Sequence, residues 1–161
     1  MLEIRQANAA DVNRMAEIET LCFPATEAAS PAAFQQRFAV FPECFVVLEH
    51  DGQVIGFING CVCNDQRITD RLYEDVQSHI TDGDYQTVFG IAVLPEFQRR
   101  GYALMLLEHF IQMSRSRGRK GVILTCKDAL IPLYEKGGFK LLGVSDSVHG
   151  GVKWNDMALL F

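Results

Sequence analysis

Gln98-Arg99-Arg100-Gly101-Tyr102-Ala103 follows the apolar run Val88-Phe89-Gly90-Ile91-Ala92-Val93 and opens an amphipathic stretch from Leu104 to Met113. Strand, basic glycine-containing turn, helix: this order builds an anion site. The first N–H groups of a helix have no intrahelical partner, and the helix dipole adds partial positive charge there. Phosphate and pyrophosphate are the natural guests of such a turn. Gly101, lacking a Cβ, lets the backbone come close to the guest. The six residues Gln98, Arg99, Arg100, Gly101, Tyr102 and Ala103 are therefore the candidate anion contacts. Taken alone, they also fit an ordinary strand-to-helix connection carrying two solvated arginines.

The rest of the chain places this turn within a layered fold. Leu2 to Ala7 alternates apolar and polar residues and reads as a strand. Asp11 is positioned to cap a helix whose face carries Val12, Met15, Ile18, Leu21 and Cys22. Ser30-Pro31 reads as N-cap and first residue of a second helix, with Phe34, Phe38 and Phe41 inward. Phe45–His50 and Val54–Cys63 read as strands joined by Asp51-Gly52, a hairpin turn pair. The polar stretch 64–84 carries a short helix near 70–78 and has the length and charge of a lid. Thr87–Val93 is the central strand, and Gly90 inside it marks a bulge or a close backbone approach. The long helix ends at Gly118. A strand (Gly121–Cys126), a short helix (Leu130–Lys136, closed by Gly137-Gly138) and two final strands (Phe139–Val144, Trp154–Phe161) complete the order. Mixed strands and helices in this order give an α/β (α+β) sandwich.

Composition bounds the function. The chain has 161 residues, 48% apolar and 22% charged, which suits one domain over residues 1–161. Its net charge of −5 argues against nucleic acid, which needs a basic face, and is compatible with cationic amines. No apolar run approaches the ~20 residues of a membrane span. The first residues lack a secretory layout. Five cysteines, an odd number, fit a reduced, cytoplasmic protein better than a disulfide scaffold. Cys61 and Cys63 would face opposite sides of a strand, and no cluster has zinc-like spacing, so no metal is expected.

The pattern Gln98-x-x-Gly101-x-Ala103 resembles the acyl-CoA pyrophosphate loop of the GNAT superfamily of N-acetyltransferases. The segment Leu130-Ile131-Pro132-Leu133-Tyr134-Glu135 resembles that superfamily's second signature. Leu124–Glu135, Gly56–Gly60 with Asp65–Thr69, and the spacing of Phe23 and Pro31 are similar to the arylalkylamine (serotonin) N-acetyltransferases. The resemblance runs over nearly the whole chain. It implies a mixed, mostly antiparallel sheet of about seven strands, flanked by helices and splayed at the central strands.

The same resemblance implies acetyl-CoA as co-substrate and direct attack by a small primary amine in a ternary complex. The backbone of Ile91, Ala92 and Val93 would pair with the pantetheine, and an N–H at or near Ile91 would hold the oxyanion. Tyr134 would protonate the departing sulfur. Phe23, Pro31, Thr125 and Trp154 would wall an aromatic amine pocket. One departure stands out. The animal enzymes carry two proton-relaying histidines on the central strand, and here the matching positions hold Thr87 and Phe89. His149 is then the first candidate base, with solvent water as the alternative and Asp84 as a weaker one. His50, His79 and His109 read as turn or helix-surface residues. A monomer or homodimer acting on a small molecule is expected. The alternatives are a non-catalytic acyl-CoA-binding module, or transfer to polyamines, aminoglycosides or protein N-termini.

Overall fold

A computed structural model describes residues 1–161. Its strands are β1 (Leu2–Gln6), β2 (Phe45–His50), β3 (Gln53–Asn59), β4 (Val62–Cys63), β5 (Tyr85–Val88), β6 (Gly90–Val93), β7 (Gly121–Cys126), β8 (Lys140–Val144) and β9 (Asn155–Leu160). Its helices are α1 (Val12–Cys22), α2 (Pro31–Val40), α3 (Asp70–Glu74), α4 (Tyr102–Ser116) and α5 (Ile131–Lys136). One sheet has the order β1-β2-β3-β6 and the other β4-β5-β7-β9-β8. Every pairing is antiparallel except β5 with β7, which the α4 crossover makes parallel. This is the mixed, mostly antiparallel α/β arrangement expected.

Nine strands appear where seven were expected, because two of the seven are broken. Val54–Cys63 divides into β3 and β4, and Thr87–Val93 divides into β5 and β6. The breaks face each other. Phe89 N–H donates to the Asn59 carbonyl over 2.7 Å, and Thr87 N–H donates to the Cys61 carbonyl over 2.8 Å. Gly60 lies between them, so close to the opposite backbone that a Cβ there would stand 1.9 Å from the Thr87 carbonyl oxygen. Gln86, fully buried, spans the crossing with Nε2 at the carbonyls of Gly60, Cys61 and Thr87. The paired strands stay together through the break but enter different sheets beyond it, and a wedge opens between β6 and β7.

Local rules explain the flanking elements. Asp51 (φ 50°) and Gly52 (φ 82°) both take the left-handed conformation that a tight hairpin demands. Ser30 Oγ accepts from Ala33 N–H at the start of α2, and Pro31 occupies its first position. Phe34 and Phe41 are buried against Phe57 and Phe45, with ring centroids 5.5 and 5.7 Å apart. Asp11 does not cap α1 with its side chain. Its carboxylate accepts from Asn8 N–H and from Arg5, whose guanidinium draws it away from the helix end and holds it below the usual carboxylate range.

The 64–84 segment packs down rather than standing off. Ile68 and Leu72 are buried, and Asp70 accepts from Ser147 Oγ and Val148 N–H. His79, expected at the surface, is instead buried and stacked on Phe41 at 4.8 Å, with Nδ1 accepting from Val62 N–H. No helix is long and apolar enough to cross a membrane.

Candidate active site

The wedge beside β6 is a cavity of about 360 Å³. Phe89 and Gly90 together face the single residue Asn59, which is a β-bulge. Beyond it, Leu94 N–H donates to the Ile55 carbonyl over 2.9 Å. Alternation along the ladder then turns Ala92 toward β3, and turns Ile91 and Val93 toward the cavity. The Val93 carbonyl is already taken by Gln98 Nε2 (2.9 Å) and Cys22 Sγ (3.4 Å). The Ile91 N–H faces the cavity, as an oxyanion donor must.

A second cavity of about 330 Å³ shares Val93 and Gln98 with the first and runs to the glycine turn. Arg99, Gly101, Tyr102 and Ala103 line it. Gly101 is the N-cap of α4 at φ 80°, and Arg99 also has positive φ, 64°. This backbone leaves the first N–H groups of α4 open at the cavity. Arg100 lines neither cavity. Its guanidinium sits 5.3 Å over the Phe97 ring and donates to the Glu96 carbonyl.

Tyr134 reaches the first cavity from α5, its ring edge-on to Phe139 at 5.7 Å. Burial, reinforced by Cys126 and Tyr73 nearby, holds its phenol well above the usual range, so it is a proton donor throughout the neutral range. Two cysteines share the cavity with it. Burial pushes the Cys126 thiol up to about 11 and also raises Cys22, so neither presents a thiolate near neutral pH.

Phe23, Thr125, His149 and Trp154 all line this cavity, but Pro31 does not. Pro31 is fixed at the first turn of α2 by its capping role. Thr125 Oγ1 is bonded to the Tyr73 hydroxyl over 2.8 Å. Trp154 Nε1 donates to the His149 carbonyl over 2.7 Å. His149 Nε2 lies 3.0 Å from the Glu27 carbonyl. A carbonyl only accepts, so this nitrogen carries a proton and only Nδ1 is left as a base. Thr87 is fully buried with Oγ1 donating to the Cys61 carbonyl, whereas Phe89 reaches the cavity wall. Asp84 lines neither cavity and pairs with Lys120 at 3.2 Å.

Sequence reasoning passed over several polar residues of the wall, among them Glu19, Arg37, Asn59 and Tyr73. Glu19 is 8% exposed and accepts from Ala29 N–H over 2.8 Å. Desolvation raises its carboxyl above the usual range, although the Ala29 amide, Arg37 and His149 oppose the shift. It lies under the bulge, 3.8 Å from where a Gly90 Cβ would stand. Its signal is legible: Glu19 follows Val12, Met15 and Ala16 by seven, four and three residues, on the buried stripe of α1. Arg37 carries the same signal, three residues after Phe34 and four before Phe41. Tyr73 is packed between Phe89 (4.8 Å) and His149 (5.8 Å), with its hydroxyl pushed up to about 12 by burial, and lies in a segment with no periodicity to betray it.

The chain is similar to known proteins along this whole region. Over 145 residues it is 26% identical to the serotonin N-acetyltransferase of Mesocricetus auratus, covering 88% of this chain and 69% of that protein. Over 59 residues it is 48% identical to the ribosomal protein bS18-alanine N-acetyltransferase of Salmonella typhimurium, 35% of this chain and 40% of that one. In fold it resembles the GphF GNAT-like decarboxylase in complex with isobutyryl-CoA, with TM-score 0.83, 18% identity and 98% of both chains covered. A GNAT family acetyltransferase from Brucella melitensis in complex with acetyl-CoA gives TM-score 0.65 at 17% identity, covering 100% of this chain and 88% of that chain. The family model for the acetyltransferase (GNAT) family matches residues 12–139. Because that match takes in the bulged strand, the glycine turn and the Tyr134 helix together, this chain belongs to the acetyltransferase (GNAT) family.

Proposed function

We propose that residues 1–161 act as one cytoplasmic N-acetyltransferase domain that moves the acetyl group of acetyl-CoA onto a small primary amine carrying an aromatic ring. The observation that carries this reading is the cavity itself: a free strand edge and a proton donor meet a wall made of Phe23, Tyr73, Phe89 and Trp154. Relatives in complex with acetyl-CoA and isobutyryl-CoA support acetyl-CoA as co-substrate. Gln98, Arg99, Gly101, Tyr102 and Ala103 with the start of α4 would receive its pyrophosphate, and the outward edge of β6 its pantetheine.

The chemistry needs a neutral amine. Alkylammonium groups have pKa values near 10, so one proton must leave before attack. Glu19 is the acceptor: it is buried in the same cavity, raised toward neutral pH, and set beside the bulge where the thioester carbonyl would sit. It takes the place held in the sequence reading by His149, whose Nε2 is committed to the Glu27 carbonyl. The nitrogen lone pair then forms the C–N bond, the carbonyl oxygen takes negative charge at Ile91 N–H, and the C–S bond breaks. Tyr134 gives its proton to the departing thiolate, and the second nitrogen proton restores the phenol. The products are the N-acetyl amide, free CoA thiol and one proton released to solvent.

Release of free thiol from acetyl-CoA, measured over tryptamine, phenethylamine, spermidine and a peptide with N-terminal alanine, tests the reading. Turnover concentrated on the aromatic amines supports it. Preference for the peptide would move the substrate to protein N-termini. Binding of acetyl-CoA with no turnover at any pH would leave a non-catalytic acyl-CoA-binding module.

A further inference from the structure

Arg37 is a buried cation with no acid in contact. It is 9% exposed, and none of the ion pairs in the structure includes it. A guanidinium presents five N–H donors in a fork that matches a carboxylate. The one hydrogen bond it makes runs from Nη2 to the Tyr73 carbonyl over 2.9 Å. The Phe89 ring lies 4.7 Å below it, and Glu19 attracts it without touching it. A buried charge so weakly compensated is costly unless a ligand completes it.

Asn59 lines the same cavity and has the same shortage. It is 2% exposed, and its Nδ2 has no hydrogen-bond partner. Its backbone sets the bulge, since its carbonyl receives Phe89 N–H, so the unpaired amide is fixed at the level where β6 turns outward. Two sets of unspent donors on one wall require an acceptor, and an anionic one satisfies the fork best.

We propose that Arg37 and Asn59 form a subsite for a carboxylate borne by the amine substrate. The enzyme then acetylates aromatic α-amino acids in preference to the corresponding aryl-ethylamines. This rests on the N-acetyltransferase reading above and narrows its substrate. The ammonium goes to Glu19, the carboxylate to Arg37 and Asn59, and the ring to Phe23 and Trp154. The acyl-transfer step is unchanged.

Initial rates with acetyl-CoA on tryptophan against tryptamine, and phenylalanine against phenethylamine, give the first test. Each amino acid should exceed its amine in kcat/KM by at least about tenfold, the worth of one hydrogen-bonded charge pair. Arg37→Gln should collapse that ratio to near one, and Arg37→Lys should restore part of it. A measurement on the unaltered protein avoids reliance on variants that fail to fold. Indole-3-propionate, which has ring and carboxylate but no amine, should bind at least about tenfold more tightly by calorimetry than neutral 3-propylindole.

Tryptamine matching or beating tryptophan, with indole-3-propionate no tighter than 3-propylindole, overturns the subsite and leaves amine acetylation standing. Faster turnover with succinyl-CoA, without any preference for the amino acid, assigns the carboxylate to the acyl donor and also overturns it. If no amine is acetylated, the N-acetyltransferase reading fails, and the calorimetric comparison still decides whether the carboxylate subsite exists.

Discussion

Phe89 N–H donates to the Asn59 carbonyl across 2.7 Å, although Asn59 already stands opposite Gly90 in the β3–β6 register. This one extra residue ends the pairing of the two sheets and turns Ile91 N–H toward the cavity. The bulge depends on close backbone contact next to it, at Gly60. A Cβ on Gly60 would fall 1.9 Å from the Thr87 carbonyl oxygen, whereas a Cβ on Gly90 meets nothing nearer than 3.8 Å. Gly60→Ala should therefore destabilise the protein by about 3 kcal/mol or more, the upper range for forced overpacking. Gly90→Ala should leave Tm nearly unchanged and raise KM for the amine, because the added methyl enters the cavity beside Glu19 and Phe23. Thermal denaturation of both variants, with amine kinetics on the second, checks the pair; equal losses of stability would refute it.

Tyr134→Phe keeps the ring against Phe139 and removes only the hydroxyl. Turnover should fall by about a hundredfold, the lower range for loss of a general acid. Acetyl-CoA affinity should stay within about twofold of normal, since in the proposed mechanism the phenol meets the leaving group only as it departs. Calorimetry with acetyl-CoA and thiol-release kinetics separate the two effects. Unchanged turnover would take Tyr134 out of the mechanism.

Glu19 makes opposite predictions for rate and stability. The base must be ionised, so kcat/KM should fall as pH drops through the elevated pKa of Glu19. Glu19→Gln should abolish that acidic limb and lower turnover about a hundredfold or more, while His149→Ala should leave the limb in place. For stability the sign is reversed. A carboxyl with a raised folded pKa binds its proton more tightly when folded, so its contribution is complete below the unfolded value and is lost as pH rises through the folded one. At a pH above its folded pKa the ionised Glu19 is a destabilising buried charge, and there Glu19→Gln should raise Tm as it lowers rate. A lower Tm in the variant, or an acidic limb that follows His149, would contradict this assignment.

The elements legible in the sequence are those set by local rules. Asp51-Gly52, Ser30-Pro31, Gly101 and Gly118 each mark a conformation that only a few residue types adopt, and the structure places turn, cap or helix end at each. The two broken strands are different. Val54–Cys63 and Thr87–Val93 each look continuous, because the break lies in the contact of Gly60 with Thr87, residues 27 apart, and neither segment reveals it alone.

The site divides in the same way. The glycine turn and Tyr134 are contiguous motifs, so they could be found. Glu19 and Arg37 were visible only as charges on otherwise apolar helical stripes, and Asn59 and Tyr73 gain meaning only where the chain returns past Phe89. Pro31 shows the converse. Its spacing from Phe23 suited a pocket wall, but its backbone role at the start of α2 keeps it outside the cavity.

Trp154 is the only tryptophan in the chain, and it lines the cavity. Its ring lies 6.0 Å from His149 and 6.0 Å from the Lys127 ammonium, which is itself paired with Glu27 at 2.7 Å. Anything that enters between Phe23 and Trp154 must change the polarity around the indole or displace one of these neighbours. Intrinsic emission should therefore respond to phenethylamine, which does not fluoresce in the tryptophan window, with saturation at a concentration near its KM. Spermidine, which has no ring to stack, should leave the signal nearly flat at equal concentration. With acetyl-CoA seated along β6 and the glycine turn, as proposed above, it should change the emission less than the aromatic amine does. A larger response to spermidine than to phenethylamine would mean that the Phe23–Trp154 wall does not receive the aromatic ring.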